Sequence, residues 1–223
     1  MEYIKAINNL LFPTRNLCYL CMETKTKDSL NNFICKGCYD FLEIVHRKAD
    51  LDLPSIGEAY YTLIYNRYMR DIVADYKFNG KSYLYKPLAQ LMLGTIKKRD
   101  LQKDIDIIMY MPSHRRKEAK RGYNQAHLLA TYIGKDLDIK VSHNNLIKVR
   151  HTKDQNKLNR SERLTNLNNS FRVKDKEEIR DKRILLIDDI ITTGATMEES
   201  SKELIKNEAK EVLGLALTSS RKL

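Results

Sequence analysis

The stretch RILLIDDIITTGAT, Arg183 to Thr196, decides how the rest of the chain is read. Ile184 to Ile187 form an unbroken apolar run rich in branched side chains, the composition of a strand buried on both faces of a parallel sheet. Beyond the loop, Met197, Leu204 and Ile205 recur at helical spacing, with Glu198, Glu199, Lys202 and Glu203 on the wet side. The loop therefore joins a strand's carboxyl end to a helix's amino end, the edge where open α/β sheets bind ligands. Thr192, Thr193, Gly194, Ala195 and Thr196 can offer backbone N–H groups and hydroxyls to an anion, helped by the helix dipole. Asp188 and Asp189 cannot bind a phosphate. They can accept hydrogen bonds from sugar hydroxyls or help hold a divalent cation. A ligand carrying both a phosphate and a ribose diol would satisfy the two halves. A P-loop needs a lysine directly after its glycine, and Ala195 follows Gly194. Taken alone, the Asp-Asp pair is equally compatible with N-capping acids on an ordinary strand–turn–helix.

The chain of 223 residues suits one ordinary α/β domain plus a small appendage. No apolar run approaches the roughly 20 residues that span a bilayer. The opening MEYIKAINNLLFPTR carries Glu2 early and lacks a small-residue cleavage site, so it reads as a short amphipathic helix and not as a secretion signal. A soluble cytoplasmic protein is expected. The net charge of +11 is unevenly spread: residues 111–163 carry thirteen basic and five acidic side chains, most of the surplus. A charge run is usually a solvated face, but so local a surplus points to an anionic partner.

All four cysteines lie in one region, as Cys18-x-x-Cys21 and, thirteen residues on, Cys35-x-x-Cys38. Two such turns let four thiolates meet one Zn²⁺ tetrahedrally. Disulfides are disfavoured because nothing directs the chain to an oxidising compartment. A thioredoxin-like dithiol would leave the second pair unexplained. A structural, non-catalytic zinc is expected, ordering a segment too small for its own core.

Between these landmarks, Glu58 to Tyr65 reads as a strand and Tyr68 to Phe78 as a helix with Met69, Ile72, Val73 and Tyr76 inward. Leu84, Leu88, Leu91 and Ile96 mark another helix, and Ile105 to Met111 a buried strand. Pro112 and Ser113 sit where that strand should stop. Arg115, Arg116, Lys117, Lys120 and Arg121 then crowd an expected loop ahead of a helix containing Ala126, Leu129, Ala130 and Ile133. The amide-rich segment 155–171, with Gln155, Arg160 and Arg163, has the composition of a mobile cover over a site.

The whole Ile184–Thr196 stretch resembles the phosphoribosyl-pyrophosphate (PRPP) signature of the type I phosphoribosyltransferases. Further motifs surround it: the paired CxxC turns, YKFNG at 76–80, KRGYNQ at 120–125, and the spacing of Gln155, Arg163, Asn166 and Phe171. Together they make the chain similar, over nearly its whole length, to the ComF family of late-competence, phosphoribosyltransferase-like proteins. Many relatives carry a fuller cysteine set or a longer finger, whereas four ligands stand here. The resemblance implies an α/β phosphoribosyltransferase-like domain over residues 51–223, a parallel sheet flanked by helices. It implies an N-terminal helix and zinc-finger module over residues 1–50. It assigns Asp188 and Asp189 to the ribose hydroxyls as catalytic acids, and Thr192, Thr193, Gly194, Ala195 and Thr196 to the 5′-phosphate, with Mg²⁺ accompanying PRPP. The loop with Ser113, Arg115, Arg116, Lys120 and Arg121 would touch pyrophosphate or DNA. Family members are associated with DNA uptake in natural transformation, beside a helicase-like ATPase partner.

Two functions are therefore weighed. One is a PRPP-binding competence protein that handles single-stranded DNA. The other is an active Mg²⁺-dependent phosphoribosyltransferase with a nucleobase-like acceptor. Thirteen basic residues exceed what PRPP alone requires, and Tyr123 and Tyr132 stand near enough in sequence to stack on bases, which favours the first.

Overall fold

The computed structural model describes residues 17–23, 33–149 and 169–220. The chain divides into two compact units, residues 1–41 and 42–223. In the first, a short helix α1 (Lys36–Asp40) is capped by the side chain of Cys35, which accepts from the Cys38 N–H. Tyr19 meets Phe33 edge to face, with ring centroids 5.2 Å apart.

The larger unit is built on a five-stranded sheet. In chain order its strands are β1 (Ile44–Lys48), β2 (Glu58–Ile64), β3 (Ile107–Tyr110), β6 (Arg183–Ile191) and β7 (Glu211–Ser219). Their spatial order is β1-β2-β7-β6-β3. β1 is antiparallel to β2, and the other four run parallel. The antiparallel edge strand, absent from the sequence reading, begins within the first fifty residues yet belongs to this sheet. The central strands are apolar on both faces because helices cover both. A separate ribbon pairs β4 (Leu146–Lys148) with β5 (Phe171–Val173).

The helices follow their apolar stripes. α2 (Arg67–Phe78) buries Met69, Ile72, Val73 and Tyr76, the four residues expected inward. Asn66 caps it, its Oδ1 accepting from the Met69 N–H at 2.8 Å. α3 (Tyr85–Lys98) carries Pro87 in its first turn, where the missing N–H costs nothing. α5 (Gln125–Leu137) buries Ala126, Leu129, Ala130 and Ile133. α6 (Ala195–Lys206) buries Met197 and Leu204, but Ile205 is 40 % exposed, and Ser200 and Ser201 occupy the inner face instead.

The basic stretch is not the expected loop. It forms a short helix, α4 (Arg115–Arg121), started by His114, whose Nδ1 accepts from the Arg116 N–H, and ended by Gly122 at φ 81°. Glu118 in its first turn and Lys120 and Arg121 in its last complement the helix dipole, which offsets the like-charge crowding.

β6 extends further than its apolar core predicts, so both acids lie on the strand itself. Ile187 pairs with Tyr110, while Asp188 pairs only with Ala216 of β7. The Met111 N–H makes the last bond across, to the Ile187 carbonyl at 2.8 Å. β3 thus leaves the sheet one residue before the acids and opens their flank. Around these ends, α5 packs against α3 and α6 against β5.

Candidate functional site

Asp188 and Asp189 stand at the carboxyl end of β6. Lys77, in the last turn of α2, reaches them: its Nζ lies 2.8 Å from Asp189 Oδ2, with the two side chains 18 % and 14 % exposed. Burial and the neighbouring Asp189 charge push the Asp188 carboxyl up to about 8. Lys77, the Asp189 N–H bonded to Asp188 Oδ1 at 2.8 Å, and Lys148 pull the other way. Without a ligand Asp188 therefore holds a proton more readily than a free carboxylate does. A sugar diol or cation that stabilised both charges would release it.

The turn after β6 wraps a cavity of about 170 Å³ lined by Lys77, Asp188, Asp189, Thr192, Gly194 and Thr196 among others. Ala195 opens α6, a twelve-residue helix whose first-turn N–H groups have no partner within the helix itself. Thr193 turns back on the loop, its Oγ1 accepting from the Ala195 N–H at 3.4 Å. Gly194 is dictated twice. Its φ of 76° lies in the left-handed region, and an added Cβ would come within 2.6 Å of Leu53 Cδ2. The segment carrying Leu53 is tied to α6, where the Ser55 N–H donates to the Glu198 carboxylate at 3.1 and 3.2 Å.

The opened flank forms a larger cavity of about 780 Å³. Ser113, Lys117, Lys120, Arg121 and Lys148 line it together with the two acids. Burial and Lys117 push the Lys148 ammonium down to about 8, while Asp188 holds it up. Of the five basic residues crowded at 115–121, Lys117, Lys120 and Arg121 line this space. Arg116 is exposed and does not line it, and Arg115 begins helix α4. Gln155, Arg160 and Arg163 lie outside the described residues.

Lys77 and Lys148 were missed by the sequence reading. Lys77 had a signal: it falls one helical turn after Val73, on the flank of the buried stripe, where a lysine calls for a counter-charge. Lys148, in a three-residue strand, gave none.

The two family motifs interlock. Tyr76 Oη donates to the Gln125 carbonyl at 2.9 Å, and Tyr123 Oη donates to the Tyr76 carbonyl. Asn124 caps α5 and ties it to the end of β3 through the Met111 carbonyl at 3.0 Å. Tyr132 Oη donates to Gln90 Oε1, and its ring meets Tyr85 edge to face. Both tyrosines offered as base-stacking groups are thus engaged within the fold.

In the smaller unit, the Sγ atoms of Cys18, Cys21, Cys35 and Cys38 all lie within 4.8 Å of one another. Cys21 Sγ is 3.9 Å from Cys35 Sγ. Thiolates about 2.3 Å from a tetrahedral zinc would stand about 3.8 Å apart, so this cluster can hold a metal such as zinc. The N–H groups of Leu20 and Cys35 both donate to Cys18 Sγ at 3.4 Å. Burial raises the Cys18 thiol, but backbone N–H groups outweigh it and bring it down to about 7. The donor set and its N–H partners suit a thiolate-bound metal.

An acid pair ending a parallel strand, with a threonine-rich turn beside it, defines a phosphoribosyltransferase-like domain, and residues 119–222 match the family described as the phosphoribosyl transferase domain. The chain is 35% identical over 223 residues to competence protein ComFC of Streptococcus pneumoniae, covering 97% of this chain and 95% of that protein. It is 34% identical over 145 residues to competence protein F of Haemophilus influenzae, where the match spans 63% of each chain. It is 30% identical over 145 residues to the DNA utilization protein YhgH of Salmonella typhimurium, again 63% of each. The match thus spans just under two thirds of the length of the last two relatives. The chain belongs to the ComF family of competence proteins. No helix among the described residues is long and apolar enough to cross a membrane.

Proposed function

We propose that this chain is a competence protein that binds PRPP with Mg²⁺ in its phosphoribosyltransferase-like domain and handles incoming single-stranded DNA in the cytoplasm during natural transformation. The observation that carries the reading is the juxtaposition at the end of β6. Two acids fit for a ribose diol stand beside a threonine-glycine turn fit for a phosphate, and they share the larger cavity with a shelf of Lys117, Lys120, Arg121 and Lys148. Asp188 and Asp189 take the ribose hydroxyls. Thr192, Thr193, Gly194, Ala195 and Thr196 take the 5′-phosphate. The shelf, with Ser113, takes pyrophosphate or DNA phosphates. Mg²⁺ would neutralise the charge that PRPP brings to an acid pair. Zinc on the four cysteines serves a structural role, and a helicase-like ATPase is the partner that the family resemblance suggests. The DNA part of the reading draws support from relatives named for competence and DNA utilization.

The test is the melting temperature with PRPP and Mg²⁺. A ligand at a hundred times its dissociation constant stabilises the native state by about 2.7 kcal/mol. Wild type should shift upward by several degrees, and Asp188→Asn combined with Asp189→Asn should abolish the shift. An undiminished shift in that variant would remove the ribose assignment.

A second reading, turnover of PRPP onto a nucleobase-like acceptor, is favoured by the size of the 780 Å³ cavity, whose lining includes Phe78 and Gly80 as well as the acids. Pyrophosphate release in the presence of individual nucleobases separates the two.

A further inference from the structure

Phe78 ends α2 with 69 % of its surface exposed, although Met69, Ile72, Val73 and Tyr76 of the same helix are buried. Nothing in the packing of the core calls for an aromatic ring there. The ring lines the rim of the large cavity, and the guanidinium carbon of Arg121 lies 5.0 Å from its centroid. Arg121 is itself held, donating to Gln125 Oε1 at 3.1 Å, so the cation and the ring are arranged in advance. The surroundings are open. A Cβ added to Gly80 or to Gly122 would meet nothing within 4 Å. Lys117 and Lys120 line the same cavity. An exposed ring, a fixed guanidinium and adjacent cations are the parts of a surface that stacks a base and grips the phosphates beside it.

We propose that Phe78 and Arg121 form a stacking platform for one base of a single-stranded nucleic acid at the mouth of the cavity, with Lys117 and Lys120 on its flanking phosphates. A strand fits better than a free base because the ring is largely exposed, and helix α4 carries a further exposed cation, Arg116, beyond the residues that line the cavity. The inference rests on the DNA-handling reading above and gives that reading a residue that sequence analysis passed over. Phe78 stood within the YKFNG motif without a role, and the tyrosines offered as stacking groups are engaged elsewhere.

The test uses the full chain and two labelled strands of equal length, oligo-dT and an abasic strand with the same phosphates, at low salt. Phe78→Ala should weaken oligo-dT binding roughly tenfold, as the loss of one stacked base implies. The abasic strand should lose less than twofold, and the salt slope should not change, because no phosphate contact is removed. The chain contains no tryptophan, so Phe78→Trp introduces a single indole reporter. That variant should restore oligo-dT affinity and lose fluorescence when oligo-dT binds, but not when the abasic strand binds. Equal losses on both strands, no loss on either, or no quenching by oligo-dT would overturn the platform. Quenching by free nucleobases but not by oligo-dT would overturn it in favour of an acceptor pocket. Wild-type protein that fails to bind oligo-dT would sink the DNA reading itself and the platform with it. A platform failure with wild-type binding intact leaves the DNA reading standing.

Discussion

Lys77 Nζ lies 2.8 Å from Asp189 Oδ2, so the last turn of α2 is pinned to the strand end that carries both acids. The lysine offsets part of the repulsion between two neighbouring carboxyls that burial already disfavours.

Lys77→Met should therefore leave Asp189 poorly compensated. Breaking a buried ion pair on one side costs about 3–5 kcal/mol when it is fully buried, and this partly exposed pair should lose about 1–3 kcal/mol. Urea unfolding measures the loss. Adding Asp189→Asn should recover part of it, and a double-mutant cycle without coupling would contradict a direct pair. Lys77→Met should also weaken PRPP binding, because Asp188, no longer held down by the lysine, then keeps its proton to higher pH.

Zinc should be present at about one per chain in reduced protein, since four thiolates complete one tetrahedral site. Cys35→Ser removes a ligand and, with it, the Sγ that accepts from the Cys38 N–H at 3.4 Å. Metal content should fall and the smaller unit should loosen around the Tyr19–Phe33 contact. Phe41 is already 68 % exposed, so it would not report the change. Elemental analysis and limited proteolysis read the two effects.

Glu178 provides a pH test away from the cavities. Burial raises its carboxyl, but Lys140 Nζ at 2.8 Å, Ser142 Oγ at 2.7 Å and Asn145 Nδ2 at 2.8 Å outweigh burial and hold it below the usual carboxylate range. A carboxyl depressed by folding contributes stability above its unfolded value and loses it as pH falls through its folded value. Glu178→Gln should therefore cost about 1–2 kcal/mol at pH 7. The gap to wild type should close as pH drops below 4, as followed by melting temperature across pH. A gap independent of pH would mean that packing, and not charge, sets the cost.

The basic helix α4 should govern the salt dependence of DNA binding. Single-strand affinity falls with log salt at a slope of about 0.7 per phosphate neutralised. Replacing Arg115, Arg116, Lys117 and Lys120 with glutamine should weaken binding and flatten the slope by roughly 1–3, while zinc content stays constant. Gel shifts at graded salt, with and without PRPP, also reveal whether PRPP competes for the same cations.

What the sequence alone determined was local or periodic. The apolar run before Asp188, the acid pair, the threonine turn and the two CxxC turns each lie within a few residues, so their spacing carries their chemistry. The stripe of α2 and the inward face of α5 followed from helical period for the same reason. Tertiary structure decided what depends on distant pairing. β1 and the β4–β5 ribbon are too short to show alternation, and their partners alone make them strands. The basic stretch became helix α4 because His114 and Gly122 close its ends, which composition could not reveal. Lys77 met Asp189, and Arg121 met Phe78, because the end of α2 is locked to KRGYNQ through Tyr76, Tyr123 and Gln125. A side chain's partner across the fold is set by packing of whole elements, and no residue spacing along the chain encodes it.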